Sequence, residues 1–267
     1  MLGEPFHEVN PVSIGHAAAE PLAARVWGYG AAMHEYAILF PYHGHAPQEA
    51  VAQNLERLRR FNAGVPIIPL IHDGAPTVEG SIDVSRMPPG PWDTTDKWRS
   101  CDTMIYRWFP QRSIHAERYV LCEWDTYSTT SIRDFYAPVW GADVAAVEAF
   151  THAEKPDWWF FREIPLLGDL APHAGAVVPL SGTLFSAAAL EAICDGPILA
   201  SPFCELRVGT LARHAGLRLT SMPFARGFIS WHPSEIHVSE APGVYHPVKE
   251  VVTAPPNSRR EPAQEPE

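Results

Sequence analysis

Tyr36–Ile71 reads YAILFPYHGHAPQEAVAQNLERLRRFNAGVPIIPLI, and it decides the fold class. Tyr36–Phe40 is a short apolar run of strand formers, too short for a buried helix. Pro41-Tyr42-His43-Gly44-His45 follows and is expected to be a loop. Pro47 suits a helix start, and Val51, Leu55, Leu58 and Phe61 recur at helical spacing on one face. Glu56, Arg57, Arg59 and Arg60 fall on the other face, and Gly64 stops the helix. Val65–Ile71 is a second buried strand, closed by His72-Asp73-Gly74. A strand, a helix and a strand of these lengths make a right-handed crossover, which requires parallel pairing. The chain is therefore expected to be α/β with a mixed, mainly parallel sheet.

The next strand is in Arg118–Tyr127, RYVLCEWDTY. Tyr119–Cys122 is a buried run, and Glu123 and Asp125 follow it with Trp124 between them. In open α/β sheets the ligand crevice lies at strand ends. Two packed carboxylates repel unless a cation or a proton sits between them. A divalent cation satisfies them, and hard oxygen donors suit Mg or Mn. A solvated turn that happens to carry two acids is the plain alternative.

Composition narrows the partners. The chain has 267 residues, 46% apolar, which suffices for one large α/β domain. Its formal net charge is −11, from 20 Lys+Arg against 31 Asp+Glu. This argues against nucleic acid, which needs a basic stripe, and against an anionic membrane surface. An anionic ligand would need a cation beside it. Cys101, Cys122, Cys194 and Cys204 contain no CxxC pair, so buried thiols in a reducing compartment are expected and a cytoplasmic location with them. MLGEPFHEVNPVSIGH has neither the basic nor the apolar region of a signal peptide. Leu170–Leu190 is the longest stretch without charge, but Pro172 and Pro179 interrupt it, so no transmembrane segment is expected.

Residues 1–33 read as an irregular lead-in, residues 34–250 as the folded domain, and residues 251–267 as a disordered, Pro- and charge-rich tail. Within the domain, Glu79–Asp96 reads as a long loop and Lys97–Phe109 as a helix. Ser131–Tyr136 is a helical turn, and Asp157–Ile164 is an aromatic segment packed on the sheet. Ala176–Leu180 is a strand, Ser186 caps a helix, Phe203–His214 is a further helix, and Leu217–Ser221 is a strand.

YAILFPYHGH, RYVLCEWDTY, CELRVGTLARHAG and GVYHPVK occur in that order. Together they resemble nucleotide-sugar glycosyltransferases of the GT-A fold, bacterial members in particular, over roughly residues 34–250. The resemblance implies a GT-A-like (Rossmann-like) three-layer sandwich. It implies a nucleotide-diphosphate sugar donor, a hydroxyl acceptor, and Mn or Mg as cofactor. Glu123 and Asp125 match the family's acid-x-acid motif, with Glu where Asp is commoner; Asp125 is then the direct ligand, with Glu123 on the ion, its water or a ribose. His246 matches the histidine that completes the metal shell, and Lys249 would reach a phosphate. Glu205 matches the acceptor-side carboxylate, the general base of an inverting transfer. An acid at a helix start also suits the helix dipole.

The donor site would draw on Pro41, Tyr42, His43, Asp73, Asp102, Trp124 and Gly182. Each has a plainer reading: ring packing for Tyr42 and His43, a turn for Asp73 and Gly182, and a solvated helix surface for Asp102. Trp231 and Trp158 could line an acceptor platform or pack in the core. Two rival functions remain open. His43, His45, His72 and Asp73 could form the metal site of a hydrolase, or the chain could bind sugars or nucleotides without catalysis.

Overall fold

The computed structural model describes residues 33–72, 74–87, 101–197, 199 and 201–252. The expected lead-in, up to residue 32, and the expected tail, from residue 253, lie outside the described residues, as does Asp73.

The opening crossover forms as expected. Strand β1 (Met33–His43), helix α1 (Gln48–Phe61) and strand β2 (Ile67–His72) follow one another, and β1 pairs parallel with β2 from Ile38↔Ile67 to His43↔His72. Val51, Leu55 and Leu58 bury the inner face of α1, each contributing about 1.5–3 kcal/mol. Pro41, Tyr42 and His43 extend β1 where a loop was expected. The reason is that β2 pairs with β1 to its end. On the other side the ladder with β4 stops at Leu39, and Pro41, with no N–H to donate, only accepts there, from Trp124 N–H.

Strand β3 (Ile82–Asp83) adds to β2 inside the segment expected to be a loop; residues 88–96 of that segment lie outside the described residues. Helix α2 (Thr103–Trp108) is shorter than expected and tightens into a 3₁₀ turn, Phe109–Gln111. Strand β4 (His115–Leu121) pairs parallel with β1. Strand β5 (Tyr127–Ser128) and helix α3 (Ile132–Phe135) come next, with the Ser131 side chain capping α3. Strands β6 (Val144–Ala146) and β7 (Glu148–Thr151) precede a 3₁₀ stretch, Trp159–His173, which is broken by a kink at Gly168 and takes in the aromatic segment from Trp159 on. Strand β8 (Gly175–Val178) pairs with β7 in a separate antiparallel ribbon rather than joining the main sheet.

Strand β9 (Leu184–Ser186) runs straight into helix α4 (Ala187–Cys194), capped by Ser186 as expected. Helix α5 (Cys204–His214), strand β10 (Leu219–Ser221) and strand β11 (Val244–Tyr245) complete the order. The main sheet has seven strands in the order β10-β6-β9-β4-β1-β2-β3. It is parallel except at β9, which runs antiparallel between β4 and β6.

Alternation along β1 divides the interior into two layers. Ala37 and Leu39 face a core built with Met104, Leu190 and Leu206. Tyr36, Ile38 and Phe40 face a core built with Val51, Leu55 and Ile132. Helices therefore cover both faces, a three-layer α/β sandwich. Helix α5 approaches β8 so closely that a Cβ on Gly209 would lie 2.5 Å from the Gly175 carbonyl oxygen.

Candidate active site

A cavity of about 270 Å³ opens where β1 and β4 end. Cys122 N–H donates to Leu39 O at 2.8 Å, and Trp124 N–H donates to Pro41 O at 3.1 Å. These bonds carry Glu123 and Asp125 past the sheet edge, so both reach the cavity wall. The Asn54 side chain on α1 donates to Trp124 O at 2.9 Å and holds this turn from behind.

His246 is brought there by the ribbon of β11 on β5. Tyr245 pairs with Tyr127, so His246 passes Thr126 and reaches Asp125. Val248 N–H donates to Asp125 O at 2.7 Å and fixes the segment beyond it. His246 Nε2 lies 3.2 Å from Glu123 Oε2 and 3.1 Å from Asp125 Oδ1. Among the described residues, these three side chains form the cluster able to hold a metal ion, with one donor atom from each within 4.8 Å of the others.

The charges account for the cluster's shape. Burial alone would push the His246 imidazole down, but the Asp125 carboxylate, with Glu123 beside it, outweighs burial and pulls it up to about 10. Burial would raise Asp125, yet His246 holds it below its ordinary value. A protonated imidazole thus occupies the place of a cation between two acids. Asp125 Oδ1 is buried and accepts no well-aligned hydrogen bond. Two carboxylates and an imidazole, with an underused carboxylate oxygen, fit Mn or Mg.

Glu205 also lines the cavity, from the first turn of α5. Its Oε1 accepts from Trp231 Nε1 at 2.6 Å and from Leu180 N–H at 2.9 Å. Its Oε2 is buried with no hydrogen-bond partner. Burial holds this carboxyl well above the usual range; the two hydrogen bonds pull the other way without cancelling it. Trp231 is half-buried and packs edge-on against Phe203 at 6.2 Å and Phe160 at 6.0 Å. Trp158 is buried behind it, at 6.4 Å, and does not line the cavity.

Of the donor-side candidates, Pro41, Tyr42, His43, Trp124 and Lys249 line the cavity. Tyr42 is nearly fully buried, and its hydroxyl donates to Pro76 O at 2.7 Å, so its ring serves as wall more than as a mobile platform. His43 meets Trp124 edge-on at 6.0 Å. Two candidates lie elsewhere. Asp102 is fully buried and chelates the Arg207 guanidinium, because that helix start packs into the core and not into solvent. Gly182 forms a tight turn at φ +79, where a Cβ would lie 2.7 Å from Ile229, while its neighbour Ser181 lines the cavity.

The histidine alternative does not assemble among the described residues. His45 is exposed, with its ring 6.1 Å from that of His43. His72 Nε2 lies 3.3 Å from the Arg107 guanidinium, a poor neighbour for a metal ion. Cys101, Thr103, Met104, Phe203 and Cys204 also line the cavity and were not singled out from sequence as site residues. Cys204 opens the CELRVGTLARHAG stretch, but only the fold brings it and the others to the cavity.

No family model matches the chain, and no curated protein matches it. Among solved structures it is similar to the WbbM bifunctional glycosyltransferase in its apo form, 11% identical over 73% of this chain and 40% of that chain, TM-score 0.41. It is similar to the galactosyltransferase LgtC in complex with donor and acceptor sugar analogs, 9% identical over 74% and 76%, TM-score 0.39. It is also similar to mouse xyloside xylosyltransferase 1 in its apo form, 12% identical over 70% and 78%, TM-score 0.36. The chain spans 40% of the WbbM chain. The chemistry proposed below rests on the residues around the cavity.

Proposed function

We propose that this chain is a metal-dependent glycosyltransferase that moves a sugar from a nucleotide-diphosphate donor to a hydroxyl acceptor. The observation that carries the reading is the convergence of Glu123, Asp125 and His246 on the wall of a cavity that Glu205 also lines. Asp125 and His246 would hold Mn or Mg, with Glu123 on the same ion or on its water. A divalent ion there supplies Lewis-acid stabilisation for a leaving diphosphate. Lys249, on the same wall, adds a positive charge for phosphate.

His43, Trp124, Pro41 and Tyr42 would bound the nucleotide, and Asp73, next in sequence after β2, is assigned to the same role. Glu205 is the proposed base. Trp231 and the Leu180 amide hold its Oε1 and leave Oε2 to take the proton of an acceptor hydroxyl. A burial-raised carboxyl is a stronger proton acceptor once ionised. Attack by that hydroxyl on the anomeric carbon inverts its configuration. The net charge of −11 supports a partner list without nucleic acid. No helix among the described residues is long and apolar enough to cross a membrane. A cytoplasmic location belongs to the same proposal, supported by four cysteines outside any disulfide.

A thermal-shift screen of nucleoside diphosphates with and without Mn tests this reading. Stabilisation that requires both partners supports it through linkage. Stabilisation by neither, alone or together, overturns it.

A further inference from the structure

Two cysteines on the cavity wall have no part in this chemistry. Cys101 Sγ and Cys204 Sγ lie 3.5 Å apart, although 103 positions separate them in the chain. Cys101 precedes α2, and Cys204 opens α5 beside Glu205. Both line the cavity, and Cys101 is half-buried, so a molecule the size of peroxide has a path to the pair.

The approach of the two sulfurs is held in place. Asp102, next to Cys101, chelates Arg207, three positions beyond Cys204. Both charged side chains are fully buried. The guanidinium also donates to Leu199 O and Pro202 O, each at 3.0 Å. The two segments are thus registered on each other by a planar, bidentate pair, the arrangement that best fixes geometry. To bond, the sulfurs must close from 3.5 Å to about 2 Å.

We propose that Cys101 and Cys204 are a reversible disulfide site, closed by a small oxidant entering the cavity. The oxidant class is a peroxide or a low-molecular-weight disulfide. With peroxide, two S–H bonds break and one S–S bond forms; two electrons and two protons cleave the O–O bond to give water. With a small disulfide, the same electrons and protons release two small thiols. Each thiol is held above its ordinary value, Cys101 by its contact with Cys204 and by burial, Cys204 by burial first. The reaction is therefore slow beside that of an exposed thiolate. Closure ties Cys101 to the first turn of α5, next to Glu205. It joins two walls of the cavity that the Asp102–Arg207 pair already aligns.

The test treats the full chain with hydrogen peroxide or oxidised glutathione, alkylates the remaining thiols, and maps peptides without reduction. The expected result is a mass loss of about 2 Da, a peptide linking Cys101 to Cys204, and reversal by dithiothreitol. Cys101→Ser and Cys204→Ser, whose folding is checked by their melting curves, should each abolish the linked peptide. Full alkylation of both thiols after oxidation overturns the proposal. So does a 2 Da loss that persists unchanged in Cys101→Ser, because another pair would then be responsible.

Discussion

Glu205 carries a stability cost that can be measured without knowing a substrate. Its carboxyl is buried, with both hydrogen bonds on one oxygen, and burial raises it well above its ordinary value. An acid raised in the folded state makes folding weaker as pH climbs above the unfolded value, about 4.3, toward the folded one. Below that value both states are protonated and no cost remains. Glu205→Gln should therefore melt higher than the parent at about pH 8, with the gap closing toward about pH 4. Melting curves across that range check it. A gap independent of pH would mean that Glu205 is ionised and compensated by a partner. The same substitution should leave nucleotide binding in place and remove most transfer, since an amide accepts no proton. Equal loss of donor affinity would move Glu205 to the nucleotide.

At the scale of elements, α5 is fixed to the start of α2 by Asp102 and Arg207. A buried ion pair contributes little net stability, but breaking it strands a charge, at about 3–5 kcal/mol. Asp102→Ala is expected to lower the unfolding free energy measured by urea titration by an amount in that range, and Asp102→Ala with Arg207→Met should recover a large part of it. Additive losses in the double variant would show that the two residues act separately. This pair also illustrates what a sequence conceals. Asp102 reads as a surface residue because its helix is short and its partner is 105 positions away. The crossover from β1 to β2 was legible because α1 carries a clear helical period and lies between two short apolar runs. β6, β7 and β9 were not legible: three or four residues show no period, and long-range pairing alone makes them strands. Glu123 and Asp125 were legible as acids at a strand end. The hydrogen bond from Trp231 to Glu205 was not, since nothing local ties the 228–236 loop to α5.

At the scale of the whole molecule, an acidic chain gathers two carboxylates on one cavity wall and offsets them with one imidazole. Under the proposed function, this trio would hold a divalent cation, and that cation would admit a diphosphate. The most direct measurement is calorimetric titration of Mn into the full chain with a nucleoside diphosphate present, repeated with Asp125→Ala and His246→Ala. The account predicts stoichiometric binding in the parent, loss in Asp125→Ala, and binding weakened in His246→Ala with the melting temperature of each variant near that of the parent. Mn binding of equal strength in the parent and in Asp125→Ala would contradict it.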